Sequence, residues 1–259
     1  MTGIPACRTQ PATCRADASS PARYNAAMSI ILSIETSCEH GSIALLRGDE
    51  VLSRALPVGG NTHSGALLPA IRQLLAEAGT HVSALDVIAF GCGPGAFTGV
   101  RLACGVAQGL ALGGDLPVAP ISSLEALALP FVDRAVKLYC AMDARMSEVY
   151  VAMFASPHGV LQTVTDATCV PPDAAPLPEA GEWSGIGTAF AAYAPQLAGR
   201  LGERVNVLDA AAVPQAASVA RLAAAKPALW LDPALAAPDY VRNRVALTTA
   251  ERLAQGGKA

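Results

Sequence analysis

The sequence predicts an α/β protein built from a unit of three strands followed by alternating helices and strands, made twice. Three observations carry this. Hydrophobic residues make up 52% of the 259 and charged residues 15%, a composition that fills a sizeable core and excludes a disordered polymer. Short apolar runs and segments at helical spacing follow one another in the order β-β-β-α-β-α-β-α. A three-strand meander then begins again near residue 136. Each meander opens with an apolar strand that stops at an acid, Glu35 in the first and Asp143 in the second, which suggests duplication.

The elements follow in order. Residues 30–34, IILSI, are a β-branched run fit for a buried strand. Gly41 turns the chain into a second strand at 42–46, and Arg47, Gly48 and Asp49 turn it into a third at 51–56. A helix is predicted over 64–78, with Leu67, Leu68, Ile71, Leu74 and Leu75 on one face and Gly79 as its stop. A strand at 86–90, a Gly-rich stretch at 91–99, a helix to about 112, a strand at 116–120 and a helix capped by Ser122 and Ser123 complete the first unit. The second unit predicts strands at 136–142, 148–155 and 159–165. A Pro-rich loop at 169–183, a late strand at 204–208 and a helix at 216–225 follow. The expected organisation is a disordered extension at 1–27 with Met28 as a candidate start, subdomains at 28–130 and 131–226, and a C-terminal segment and tail at 227–259. Residues 248–259 read as a frayed polar helix.

Composition also excludes functions. The 18 Lys and Arg against 21 Asp and Glu give a net charge of −3, too acidic to coat nucleic acid unaided. No run is long and apolar enough for a membrane span, and the first 27 residues lack the apolar stretch of a secretory signal. The seven cysteines are scattered with no C-x-x-C, and the four histidines never pair as H-x-x-x-H. Reduced thiols in a cytoplasmic protein without a metal site are expected.

The most informative stretch is 86–113. A strand, a loop with Gly91, Gly93, Gly95 and Gly99, and a helix form the geometry that cradles anions. A Walker A loop is excluded because no lysine lies nearby. Residues 91–96 formally fit the dinucleotide pattern G-x-G-x-x-A, but Asp115 precedes the next strand instead of ending it. The glycines also fit a tight strand-to-helix turn with no ligand. Within the helix only Arg101 and Gln108 are strongly polar, seven residues apart on one face. Gly105, Gly109 and Gly113 form a flat strip, and Leu102, Val106 and Leu110 an apolar strip beside it. Each interior glycine costs about 1 kcal/mol against alanine, so close packing has to offset it. The helix is therefore expected to be covered on two sides, by the sheet and by a neighbouring helix or partner protein.

These residues resemble the bacterial TsaB family from about residue 29 to 244. The resemblance rests on ILSIETS at 31–37, HSGALLPAI at 63–71, GCGPGAFTGVR at 91–101, ISSLEALA at 121–128, MDARMSEVY at 142–150 and APDYVR at 237–242. It implies a duplicated ribonuclease-H-like fold of the actin, sugar-kinase and Hsp70 type, with two mixed-sheet subdomains and flanking helices. Active members of that superfamily hold ATP between the halves. By resemblance the matching positions here are Glu35, Thr36 and Ser37, the loop glycines Gly93 and Gly95, and Asp143 and Arg145. Arg145 puts a cation where a nucleotide site holds a small residue, which implies a vestigial cleft. TsaD-like relatives carry a histidine pair for metal; this chain keeps His63 but has Leu67 four residues on.

The family implies a non-catalytic scaffold that pairs with TsaD as a heterodimer, joined by TsaE in a larger complex. The reaction supported is transfer of a threonylcarbamoyl group to the adenosine beside the anticodon of ANN-reading tRNAs. The implied interface is Leu67, Leu68, Ile71 and Leu75 of the first helix with Arg101, Leu102, Gly105, Val106, Gln108 and Gly109 of the second. The same surface allows a homodimer when the chain is alone. ATP or ADP and metal are expected in the partner complex and not bound strongly by this chain, and tRNA is reached only through the complex. Arg242, Arg244, Arg252 and Lys258 read as a solvated helix face. The alternatives are an independent ATPase or metallopeptidase using Glu35, Asp143 and the Gly-rich loop, and dinucleotide binding at 91–96.

Overall fold

The structure, a computed structural model, describes residues 29–58 and 62–242. The expectations for the first 27 residues, Met28, Arg244, Arg252, Lys258 and the 248–259 helix lie outside the described residues. The first sheet contains β1 (Ile30–Glu35), β2 (Ser42–Arg47), β3 (Glu50–Ala55), β4 (Val87–Gly93) and β5 (Val118–Ser122), in the order β3-β2-β1-β4-β5. The second contains β6 (Lys137–Arg145), β7 (Glu148–Ala155), β8 (Gln162–Val170), β9 (Trp183–Ile186) and β10 (Val205–Asp209), in the order β10-β9-β6-β7-β8. In each, the first three strands pair antiparallel and the last two run parallel to the first. The two sheets thus share one topology, and the protein has the duplicated ribonuclease-H-like fold.

The helices are α1 (Thr62–Glu77), α2 (Phe97–Gly114), α3 (Ser123–Ala128), α4 (Ala189–Ala192), α5 (Ala194–Leu201) and α6 (Ala216–Ala225). Alternation along β1 sends Leu32 and Ile34 to one face, where α1 and α2 cover them, and Ile31 to the other. Burial of each is worth about 2 kcal/mol. On the second sheet, α4 and α5 cover Tyr139, Val151 and Trp183.

The closing helix of each unit packs on the other unit's sheet. From α3, Leu124, Leu127 and Ala128 lie against Leu138, Cys140 and Phe154 of the second sheet. From α6, Val219, Ala220 and Leu222 lie against Ile31, Val87 and Ile121 of the first. Ser33 Oγ donates to the Ala216 carbonyl at 2.7 Å, and the Ala216 amide donates to Ser42 Oγ at 2.9 Å. A Lys226–Glu125 ion pair ties the end of α6 to α3. No helix among the described residues is long and apolar enough to cross a membrane.

Four sequence expectations need correction. The third strand of the second meander runs over Gln162–Val170, beyond the predicted 159–165, because its half-exposed polar alternation hides it from an apolar-run criterion. β9 falls at the end of the predicted loop. It is four residues long and includes Gly185, where a Cβ would stand 2.6 Å from the Phe190 ring. The helices α4 and α5 were not anticipated. In α1, Leu67, Ile71, Leu74 and Leu75 are buried while Leu68 is 47% exposed, so the five leucine and isoleucine side chains do not share one face.

Candidate functional site

The end of β1 and the Gly-rich loop are built against each other. Glu35 is fully buried. Its Oε1 accepts from the Ser37 amide at 2.6 Å and its Oε2 from Ser123 Oγ at 2.9 Å. Burial pushes its pKa above the ordinary 4.5, and the hydrogen bonds from Ser37 and Ser123 oppose that rise. A Cβ on Gly91 would stand 2.0 Å from Glu35 Oε2, one on Gly95 2.4 Å from the Ser37 carbonyl oxygen, and one on Gly99 1.8 Å from that of Thr36. The Ala96 amide donates to the Ser37 carbonyl at 2.7 Å, and Thr36 Oγ1 donates to the Gly99 carbonyl at 2.8 Å. Gly93, at φ 117°, faces the Asp239 carbonyl oxygen instead. The glycines of this motif therefore let the chain approach itself.

Asp143 and Arg145 lie across a cleft of about 500 Å³ from Ser37 and Cys38. Asp143 Oδ1 accepts from the Arg145 amide at 2.8 Å and from the Tyr193 hydroxyl at 2.9 Å, and Oδ2 from Arg145 Nη1 at 3.0 Å. The guanidinium also pairs with Glu39, which links the two units across the cleft mouth. Ser37 Oγ is buried without a hydrogen-bond partner among the described residues. Burial and the charges of Glu35 and Glu39 push the Cys38 thiol up to about 11, and burial with Asp239 pushes Cys92 to about 12.

Both Glu35 oxygens and both Asp143 oxygens accept hydrogen bonds from the chain itself, and Arg145 spans the space to Glu39. Among the described residues no three His, Cys, Asp or Glu side chains gather into a metal-holding group. His63 opens α1 beside Gly41 with Nε2 buried and unpartnered among those residues, and Leu67 is fully buried in the core.

On α2, Val100, Ala103, Cys104, Ala107 and Ala111 face the sheet. Gly105, Gly109 and Gly113 have open space where a Cβ would project. Leu102 and Val106 are half-buried against the core. The second cover expected for this helix comes in part from the chain itself. Gln108 Nε2 donates to the Pro233 carbonyl at 2.8 Å, and Arg101 Nε donates to the Tyr240 hydroxyl at 2.6 Å. Of the residues assigned to a partner interface, Leu67, Ile71 and Leu75 are core, and Arg101 and Gln108 hold the C-terminal segment. Leu68, Gly105 and Gly109 face outward. The sequence places a C-terminal segment and tail at 227–259 but assigns it no position on the surface; Pro227 and Pro233, which open 3-10 turns at Pro227–Leu229 and Pro233–Leu235, break it into short pieces.

The family model described as TsaD, tRNA N6-adenosine threonylcarbamoyltransferase, matches residues 57–229. The chain is 38% identical to the Haemophilus influenzae tRNA threonylcarbamoyladenosine biosynthesis protein TsaB, over 63% of this chain and 73% of that one. It is 34% identical to the Escherichia coli protein of the same name, with the same coverage. Among solved structures, a Pseudomonas aeruginosa protein described as similar to peptidase YeaZ superposes with a TM-score of 0.75 at 38% identity, covering 83% of this chain and all of that one. YeaZ from Pseudomonas aeruginosa gives 0.72 at 36% identity, covering 82% of this chain and all of that one. On these matches the chain belongs to the TsaB family.

Proposed function

We infer that this chain acts in tRNA threonylcarbamoyladenosine biosynthesis as a non-catalytic subunit that pairs with TsaD in the cytoplasm and supports modification of ANN-reading tRNAs. The names of its relatives supply the pathway. The observation that carries the scaffold role is the outer face of α2, where Gly105, Gly109 and Gly113 leave a flat strip open to close approach beside exposed Leu112. A helix backbone can pack closely on such a strip, and each glycine retained there costs helix stability unless contact offsets it. The internally bonded Glu35, Asp143 and Arg145 support the same reading, since they leave nucleotide and metal to the partner complex. TsaE and tRNA join through that complex.

The test is a pull-down with TsaD of the same organism, followed by size-exclusion chromatography with light scattering and a multi-turnover modification assay. A one-to-one complex and dependence of turnover on this chain are expected. Full multi-turnover activity of TsaD without it would overturn the reading.

A further inference from the structure

We propose that residues 230–242 form a strap that couples the outer face of α2 to the closure of the cleft between the two units. The strap is attached at three places. At its start Leu231 exchanges both backbone hydrogen bonds with Val118 of β5, each 2.9 Å. Along α2 it gives the Pro233 and Ala236 carbonyls to Gln108, at 2.8 and 3.2 Å, and at the end of β4 the Asp239 amide donates to the Cys92 carbonyl at 2.7 Å. Tyr240 stacks near Phe97, with ring centroids 5.8 Å apart, and its hydroxyl accepts from Arg101. At its far end Arg242 enters the second unit. Its Nη2 donates to the Ala144 carbonyl at 2.8 Å and the Arg145 carbonyl at 3.2 Å, and pairs with Glu148 at 2.7 Å, the side chain only 15% exposed.

The turn that Arg242 grips is the one that needs gripping. Arg145, Met146 and Ser147 have φ of 61°, 55° and 60°, three successive side-chain-bearing residues in the left-handed region. A two-residue hairpin turn with positive φ at both centres is the place of asparagine and glycine, and here it is Met-Ser. Such a conformation persists only where the surroundings impose it. Arg242 supplies that constraint through the carbonyls of Ala144 and Arg145 at the entry to the turn, together with the Arg145 amide's bond to Asp143 Oδ1. The turn in its place aims Arg145 at Glu39 of the first unit. The contacts therefore run unbroken from α2, through the strap, to the turn, and across the cleft mouth. Release of the strap at either end lets the turn relax into ordinary backbone geometry and draws Arg145 away from Glu39. This coupling belongs to the chain alone and holds whatever partner covers α2.

Hydrogen–deuterium exchange of the full chain tests it. Arg242→Ala is expected to speed exchange at 143–149 and 36–40 by about fivefold or more, the lower end of site-to-site coupling, with β1 and β4 still protected. The pair Arg101→Ala and Gln108→Ala, which touches neither segment, is expected to do the same. Met146→Asn with Ser147→Gly, which suits the turn intrinsically, is expected to suppress the Arg242→Ala effect. Faster exchange confined to 238–242, or no change at 143–149 in the Arg101 and Gln108 variant, overturns the proposal. If Arg242→Ala alone does not fold, recovery of folding in the Asn-Gly background supports it and continued unfolding overturns it.

Discussion

Gly99 and Thr36 are interlocked: the Thr36 hydroxyl donates to the Gly99 carbonyl at 2.8 Å, and a Cβ on Gly99 would stand 1.8 Å from the Thr36 carbonyl oxygen. The first turn of α2 is thereby seated on the end of β1. Alanine at 99 has to push backbone against backbone, with an expected loss of about 1–3 kcal/mol. Urea unfolding checks this: the midpoint should fall with the slope unchanged, and an unchanged midpoint would show that α2 can shift freely.

The exposed glycines of the same helix behave oppositely. Gly105→Ala and Gly109→Ala meet open space, so each should stabilise the free chain by about 0.5–1 kcal/mol. Leucine at either position should leave a folded monomer but obstruct a close helix contact, at about 1–3 kcal/mol, or roughly 5- to 150-fold in affinity for TsaD. Thermal melting of the free chain and titration with TsaD separate the two effects. An unfolded leucine variant would place that strip in the core.

Glu35 gives a pH signature. Burial raises its pKa in the folded chain above the ordinary 4.5, so the folded state keeps a proton that the unfolded state loses. Stability from this group is complete below about 4.5 and declines as pH rises through the folded value. Glu35→Gln keeps an acceptor for the Ser37 amide and a donor that the Ser123 hydroxyl can accept, and removes the titration. The variant should gain on the wild type in denaturant unfolding as pH rises above the ordinary 4.5 and through the raised folded value. A constant difference would show that Glu35 titrates alike in both states.

Cys38 lies in the cleft with its thiol pushed up to about 11. At pH 8 it holds about 100-fold less thiolate than an ordinary cysteine near 9. Iodoacetamide labelling with peptide mapping should find Cys38 slow at pH 8 in the native chain and ordinary in urea. Rapid native labelling would show that the cleft opens more than the structure suggests.

The sequence made β1, β2, β4, β6 and β7 legible because these strands are buried on both faces and read as apolar runs; β7 and α6 fall on their predicted bounds. It hid what depends on contact across the chain. β8 is half-exposed, β9 is short and glycine-bearing, and α5 carries Pro195 in its first turn. The Gly-rich loop showed where the backbone is bare but not that Glu35, Thr36 and Ser37 fill the space. In α1 the helical spacing was read correctly, yet a stripe of leucines does not say which of them, Leu67 or Leu68, turns inward. Arg101 and Gln108 were rightly placed together on one face, and their true partner was the chain's own C-terminal segment.

The exchange of closing helices has a consequence during synthesis. As the chain leaves the ribosome, the first sheet is complete once β5 emerges, yet the face formed by Ile31, Val87 and Ile121 waits for α6, roughly a hundred residues later. Throughout that interval a nascent chain carries a bare apolar sheet face, the kind of surface that holding chaperones bind. Truncation anywhere before Ala216 leaves that face permanently uncovered.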